Sequence, residues 1–448
     1  MKIAVLGGGP AGLYFAISMK LRDTAHDITV IERNKADDTF GWGVVLSDET
    51  LDNLAENDPV SAERIRAHFA YWDDISVFYR GTRTVSTGHG FCGIGRKQLL
   101  VLLQERAREL GVDLRFETEA REPRYYMERY DLVVASDGLN SKTRTAFADV
   151  FKPDIDIRAC KFVWLGTHQK FDDAFTFIFE ETDKGWVWAH AYQFDADTAT
   201  FIVECSEETW NKYGFGAMSQ QESIATCEAI FRDHLGGHAL MTNANHIRGS
   251  AWINFPRVLC ERWSHENLAL MGDAAASAHF SIGSGTKLAM ESAIALADYV
   301  TSEPTLEGAF AKYEEARRTE VLKLQSAARN SLEWFEDVER YFHLDPVQFN
   351  YSLLTRSQRI SHENLRLRDS EWLESAERWF QRQAGNEINT ARAPMFAPFR
   401  LRDMELKNRI VVSPMAQYKA VDGCPTDWHF AHYAERAKGG AGMIYIEM

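Results

Sequence analysis

The stretch KIAVLGGGPAGLYFAISMKLRDTAHDITVIERN, residues 2–34, narrows the fold more than any other part of the chain. Ile3, Val5 and Leu6 form a short apolar run of the kind buried on both faces of a parallel sheet. Gly7-x-Gly9-x-x-Gly12 follows, with Pro10 and Ala11 inside it, and Tyr14 to Leu21 can carry a helix. Ile28, Val30 and Ile31 make a second strand that ends at Glu32, twenty residues past Gly12, with Arg33 next. Gly7 allows the tight turn, Gly9 lets the backbone approach a pyrophosphate, and Gly12 lets helix and strand pack. The helix N-terminus offers N–H donors to phosphates, and Glu32 is placed to accept from ribose hydroxyls. A glycine triplet alone is a weak signal. With strand, helix and placed acid it predicts a dinucleotide site, without separating FAD from NAD.

Two later motifs make that separation. DLVVASDGLNSKTR puts Asp137-Gly138 after a buried strand, followed by Ser141 and Arg144. NLALMGDAAASAHFSIGSG ends a strand at Gly272 and sets Asp273 at its mouth, where a helix is expected to begin. An isolated aspartate there would read as an N-cap. As the third motif in this order, Asp273 is expected to accept from the ribityl hydroxyls of a flavin. Ala274 to Ala276 would keep the helix start clear, and Gly283 and Gly285 would let backbone approach the isoalloxazine ring before a helix from Thr286.

The chain has 448 residues and a net charge of −15, which argues against general attraction to nucleic acid or acidic membrane. No apolar run is long enough to span a bilayer, and no secretory leader pattern opens the sequence. The six cysteines are scattered without C-x-x-C, so reduced thiols in a cytoplasmic protein are expected, with no zinc site and no other metal. The reading is an α/β protein: a Rossmann-like FAD-binding domain with an inserted antiparallel β-sheet substrate domain, then C-terminal helices and, as the resemblance named below implies, an incomplete TIM-barrel start. Residues 1–395 form the flavin part, with FAD-binding pieces near 1–75, 90–155 and 250–300, a substrate sheet near 76–90 and 156–250, and helices over 300–390. The sheet is expected to meander, with turns at Asp172-Asp173, Asp183-Lys184-Gly185 and Asp195-Ala196-Asp197. Its aromatics, Trp164, Phe177, Phe179, Trp186, Trp188 and Tyr192, could wall a flat ring or simply pack a core.

The order of the three motifs resembles the single-component FAD-dependent aromatic hydroxylases of the para-hydroxybenzoate hydroxylase-like fold, over roughly residues 1–340. DDTFGWGVVLSDETL, GIGRKQLL, AHFSIGSGTKLAMESAIALA and FNYSLLTRSQRISHENLRLRD look like the branch of salicylyl-CoA 5-hydroxylase and 2-aminobenzoyl-CoA monooxygenase/reductase. Where relatives often carry His, Pro and Asn near the ring, this chain has Ala276, Phe280 and Lys287. The resemblance implies FAD, NADH or NADPH as co-substrate, O2, and hydroxylation at ring position 5 of an ortho-amino- or ortho-hydroxybenzoyl-CoA through a flavin C4a-hydroperoxide. The cofactor carries the hard step and the protein keeps water out. An ortho amino or hydroxyl group already activates the ring, so no strong base is expected, and no His-Asp pair stands out.

The resemblance also places Trp42 beside the isoalloxazine and Arg96 at the FAD ribityl-pyrophosphate region. His279 and Trp42 are the catalytic candidates. Trp164, Trp188, His190 and Tyr192 are substrate candidates, and both His190 and His279 also read as satisfied structural histidines. Arg356 and Arg359 are expected to share a helix face and meet the CoA phosphates, or to be solvated. The tail, residues 396–448, resembles the start of an old yellow enzyme-like barrel. With only RIVVSP and GMIYIE as strands it cannot close a (β/α)8 barrel, so a shortened chain or a repacked tail, without FMN chemistry, is expected. Other readings are hydroxylation of a free aromatic or indole acid, and a non-catalytic FAD-fold binding protein. A plain NAD-dependent dehydrogenase leaves the two later motifs unexplained. A homodimer is compatible with the sequence.

Overall fold

The computed structural model describes residues 1–39, 41–46, 48–172, 174–244, 249–386 and 390–447, with Asp48 and Glu49 described by backbone alone. Asp173 of the expected turn lies outside the described residues. The chain divides into two compact units, Met1–Pro346 with Leu353–Arg359, and Val347–Ser352 with Ile360–Met448.

In the first unit the short apolar runs pair as one sheet in the order Ser264–His265, Leu268–Leu270, Leu132–Ala135, Lys2–Leu6, Asp27–Ile31, Asp113–Arg115. All neighbours are parallel except the first pair. Ile3, Ala4, Val5, Leu132, Val133 and Val134 are wholly buried, as strands covered on both faces must be. Helix Pro10–Arg22 starts with Pro at its first turn, where the missing N–H costs nothing, and ends with Lys20 and Arg22 against the dipole. Gly7 sits at φ +108°, in the left-handed half of backbone space, so the turn requires glycine. A Cβ on Gly12 would lie 2.2 Å from Gly7 O and 2.5 Å from Ser136 Oγ, whereas one on Gly9 would meet nothing within 4 Å.

The second sheet is antiparallel over most of its pairs, as expected, but its strand order is not a simple meander and one edge pairing is parallel. Ala174–Thr182, Gly185–Gln193 and Ala199–Cys205 are joined by hairpins, but the long strand Pro153–Thr167 skips its sequence neighbour and pairs with Ala199–Cys205. Asp74–Tyr79 adds to the far edge of Ala174–Thr182 in parallel, and Thr82–Ser86 follows it. The three local strands form one meander, and the remaining long strand returns to its free edge, as in a Greek key. Strand alternation divides the side chains. Val163, Leu165, Ile178, Val187, Ala189, Phe201 and Val203 join one core with Phe215, Phe231 and Trp252. Phe162, Trp164, Phe177, Trp188, His190, Ile202 and Glu204, at the intervening positions, share the other face.

Helix Gly285–Ser302 and the long helix Leu306–Glu336, capped by Thr305 through its side-chain oxygen, complete the first unit. In the second unit a short hairpin, Phe399–Leu401 with Met404–Leu406, precedes one β–α–β repeat. There Val411–Val412 pairs in parallel with Met443–Ile444 across helix Asp427–Lys438. Cys92, Cys160, Cys205, Cys227 and Cys260 are buried thiols, and Cys424 is exposed. No helix among the described residues is long and apolar enough to cross a membrane.

The two glycine environments make a paired prediction. Gly12→Ala forces backbone apart and lowers unfolding free energy by roughly 1–3 kcal/mol. Gly9→Ala, at an ordinary φ of −76° and in open space, changes it by less than about 0.5 kcal/mol. Urea unfolding of the two apoproteins measures both.

Candidate active site

Four loops leave the carboxyl ends of adjacent parallel strands and meet over one crevice, the usual ligand position in such sheets. They carry Gly7–Gly12, Glu32, Asp137-Gly138 and Gly272-Asp273. Gly8 N donates to Glu32 Oε2 and Asn34 N to Oε1, both at 2.8 Å, which fixes the carboxylate and leaves lone pairs for a further donor. Arg33 is exposed. Asp137 Oδ2 accepts from Thr143 N at 3.0 Å, while Oδ1 is buried with no partner among the described residues. Gly138, at φ +79°, turns the chain away. Arg144 is buried and staples two of the loops: it donates to Leu139 O at 2.6 Å and to Ala274 O at 3.1 Å.

Asp273 does not begin a helix, contrary to the sequence expectation. Ala276 bridges to Leu259, Cys260 N donates to Ala275 O and Ser277 N to Val258 O, both at 2.9 Å. These bonds hold the chain extended beyond a single 3-10 turn, Gly272–Ala274, and the α-helix starts at Gly285. The Asp273 carboxylate keeps accessible surface in the crevice while protein closes in around it. Desolvation pushes its pKa up, and the charges of Arg96 and Arg144 oppose that rise. An unpartnered buried carboxylate oxygen, open space above Gly9 and Gly285, and guanidinium groups close by fit FAD, whose phosphates, ribose and ribityl hydroxyls supply the matching charge and donors.

Toward the second sheet the crevice gains an aromatic wall. Trp42 O accepts from Arg96 N at 2.8 Å, and the Trp42 indole lies so close to Gly166 that a Cβ there would approach to 2.6 Å. Trp42 Nε1 is buried without a partner among the described residues. The Arg96 guanidinium stands 5.5 Å from the Trp164 ring centroid. Burial lowers the Arg96 pKa, and the Tyr192 and Asp273 groups oppose this. Tyr192 donates its hydroxyl to Gly43 O at 2.9 Å, and burial pushes its pKa up to about 12. Gly283, at φ +64°, packs on Val45, and Gly285 opens to space. Trp42, Arg96, Trp164, Tyr192 and Asp273 are thus brought together around one end of the crevice.

Behind this wall lies a cluster of rings on the aromatic face of the second sheet, the candidate substrate chamber. Phe280 wedges in, 4.7 Å from Phe162, 6.0 Å from Trp164 and 5.8 Å from His190 between centroids. Phe335 closes it from the long helix, 4.7 Å from His190. The Arg356 guanidinium stands 5.0 Å from Phe177 and 5.3 Å from Phe335, and donates to Ser331 Oγ, Leu353 O and Ser281 O at 2.8–3.0 Å. Burial lowers its pKa to about 10. This corrects the expectation for Arg356 and Arg359. The helix ends at Thr355, Arg356 turns inward, and Arg359 is exposed, so they share no helix face.

The chamber also holds a pair that spacing alone did not reveal. His190 Nε2 and Trp188 Nε1 both meet Glu204 Oε2, at 3.0 and 2.8 Å, and all three residues are about 1% exposed. Burial lowers the His190 pKa, which Glu204 opposes. His279 accepts from Ser281 N through Nδ1 at 3.2 Å and packs against Phe255, so its free lone pair is used inside its own turn. Its pKa is pushed well below the usual value, chiefly by burial. Glu204 had one signal in the sequence, a single acid in the apolar strand ATFIVEC. Phe335 had none beyond being aromatic, whereas the resemblance had placed Phe280 near the flavin ring.

A dinucleotide crevice at the strand ends, beside an aromatic sheet face, is the arrangement of an FAD-dependent aromatic monooxygenase. The chain belongs to that family: residues 1–323 match the FAD binding domain family, and residues 394–448 match the NADH:flavin oxidoreductase / NADH oxidase family. It is 40% identical to a salicyloyl-CoA 5-hydroxylase of Streptomyces sp over 92% of this chain and 79% of that protein. It is 35% identical to protodeoxyviolaceinate monooxygenase of Chromobacterium violaceum, over 80% of this chain and 95% of that one. A 3-hydroxy-4-methyl-anthranilyl-[aryl-carrier protein] 5-monooxygenase of Streptosporangium sibiricum is also 35% identical, over 75% of this chain and 89% of its own length. Among solved structures, 2-methyl-3-hydroxypyridine-5-carboxylic acid oxygenase shares the fold, with a TM-score of 0.61 at 17% identity, covering 84% of this chain and 96% of that one.

Two predictions follow from the site. Gly9→Ala fills the space above the turn and weakens FAD binding at least about tenfold, a loss of ~1.4 kcal/mol, measured by fluorescence titration of the apoprotein. His190 and His279 are held neutral below the pH at which unfolded histidine titrates, so the unfolded chain binds more protons as pH falls. Stability is therefore greatest above the unfolded histidine pKa of about 6.5 and declines as pH falls through it. The raised Asp273 pKa acts in the opposite sense at lower pH. Denaturant midpoints across this window, with His279→Gln reducing the slope, check the sign.

Proposed function

We propose that the protein hydroxylates the ring of an ortho-hydroxy- or ortho-aminobenzoyl thioester at position 5, using NADH or NADPH and O2. The observation that carries this reading is the aromatic chamber that adjoins the flavin end of the crevice through a single loop, residues 279–285. Two relatives of high coverage support the substrate class. One is named for a salicyloyl ring and the other for an anthranilyl ring, each on a carrier, and both for position 5.

When bound, FAD supplies the redox chemistry: it takes hydride from the nicotinamide and activates O2. The chain's own residues do the rest. The Gly7–Gly12 turn, Glu32, Asp137 and Asp273 would hold the cofactor's phosphates and hydroxyls, and Arg96 and Trp42 would lie toward its ring end. Phe162, Trp164, Phe177, Phe280 and Phe335 present an apolar box that takes a flat ring and excludes water. Arg356, a half-buried cation whose acceptors among the described residues are neutral, would orient an electron-rich substituent or the carbonyl of the substrate. Arg359, exposed, remains the candidate for a CoA phosphate.

A second reading, a free aromatic or indole acid, is favoured by the protodeoxyviolaceinate relative, which is named for a free carboxylate. One experiment separates the two. Anaerobic reduction of the bound flavin by NADH is expected to accelerate at least about tenfold with salicylyl-CoA or 2-aminobenzoyl-CoA, as a correctly placed substrate commits the enzyme. Acceleration by the free acid and not by the thioester would select the second reading.

A further inference from the structure

We propose that Trp42 and Asn243 form a site for an amide of the pantetheine arm that carries the substrate ring. The indole N–H of Trp42 donates to the amide carbonyl, and Oδ1 of Asn243 accepts from the amide N–H. Coenzyme A and a carrier protein both present an acyl group on this arm. The inference rests on the reading above, in which the ring arrives as a thioester.

The segment 41–43 is held from several sides. Gly41 O accepts from Asn243 Nδ2 at 2.7 Å, Trp42 O from Arg96 N at 2.8 Å, and Gly43 O from the Tyr192 hydroxyl at 2.9 Å. Gly43 N donates to Thr200 Oγ1 at 2.9 Å. Asn243 reaches this segment because strand Leu240–Met241 pairs with Pro153–Thr167, with Met241 opposite Gly166. The Trp42 indole rests on the same Gly166, where a Cβ would approach it to 2.6 Å. A ring packed on backbone keeps its Nε1 in one place.

Two polar atoms are left over. Trp42 Nε1 and Asn243 Oδ1 are buried and have no partner among the described residues, although both side chains as a whole are only half-buried. Gly41 O can only accept, so Asn243 must turn Nδ2 toward it, and the orphan is the carbonyl oxygen. Orphaned groups cost stability, and each calls for something that meets it. One of these is a donor that cannot accept, and the other an acceptor that cannot donate. A carboxylate or phosphate would satisfy the indole alone, and an ammonium the carbonyl alone. A secondary amide satisfies both.

Position points to the arm. Trp164 adjoins both this pair and the candidate chamber: a Cβ on Gly41 would come within 3.1 Å of its ring, and its centroid lies 6.0 Å from that of Phe280. The first amide of a pantetheine arm follows the thioester sulfur after a short ethylene spacer. A ring beside Phe280 therefore carries that amide past the same indole, toward Gly41. A free acid has no group for the pair.

The test titrates the FAD-loaded full chain with matched thioesters, in both the salicylyl and the 2-aminobenzoyl series, and reads the flavin absorbance change. The N-acetylcysteamine thioester ends the arm after its first amide. The S-pentyl thioester replaces that amide by methylenes at equal length. The amide thioester is expected to bind at least about tenfold more tightly than its S-pentyl match. Asn243→Leu and Trp42→Phe are each expected to reduce that ratio to under about threefold, by weakening the amide ligand alone. Retained flavin absorbance and visible circular dichroism verify the variants, and the ligand comparison on the wild-type chain depends on neither. Pantetheine, CoA and aryl-carrier-protein thioesters then separate the sources. A gain for CoA over pantetheine assigns the arm to the nucleotide carrier, a gain for the loaded protein assigns it to the carrier protein, and either keeps the amide site. Equal binding of the amide and S-pentyl thioesters, or a ratio unmoved in both variants, overturns the amide site alone and leaves a pair bridged by water. Binding of the free acids while no thioester binds overturns the thioester reading and the site with it.

Discussion

Strand register decides whether this chain has an active site. Trp188 stands opposite Glu204, His190 opposite Ile202, and Phe177 opposite His190. A slip of one residue would turn every one of these side chains to the other face, because the period of a strand is two. The aromatic chamber would then hold Val187, Ala189 and Val203, and the polar pair would be driven into a core that packs Phe215 and Trp252. The core on that second face therefore protects the chamber. Its apolar residues make any other register costly, and in doing so they hold a histidine, a glutamate and a tryptophan in a place where they gain little stability for themselves.

The crevice depends on a similar economy of position. Residues 7, 32, 137 and 273 are far apart in the chain, yet parallel pairing delivers each to the same edge of the sheet. Arg144 then links the Asp137 and Asp273 loops through backbone carbonyls rather than through their carboxylates. That choice leaves Asp137 Oδ1 without a protein partner. A net charge of −15 does not prevent anion binding here, because backbone N–H groups and the guanidinium groups of Arg96 and Arg144 set the local field.

The sequence was most legible where spacing is local. The glycine turn, Glu32, the Asp137-Gly138 pair and Asp273 lie at strand ends that can be read from apolar runs, so the first sheet and its cofactor were within reach. The second sheet was legible as strands but not as an order, because the pairing of Pro153–Thr167 with Ala199–Cys205 is a non-local choice. For the same reason His190 and Glu204, fourteen residues apart, did not present themselves as a pair. Arg356 was misplaced by a different cause. Helical spacing was extended past Thr355, where the chain leaves the helix and the guanidinium turns inward.

Phe280 and Gly285 belong to one short loop, and this has a consequence for how the two halves of the site communicate. The Phe280 ring is lodged among Phe162, Trp164 and His190, while Gly283 turns at a left-handed φ against Val45 and Gly285 faces the open crevice. Arg356 grips the same loop at Ser281 O. A ring seated beside Phe280 and a cofactor seated over Gly285 would therefore rest on the same seven residues, 279–285, whose backbone turns at Gly283.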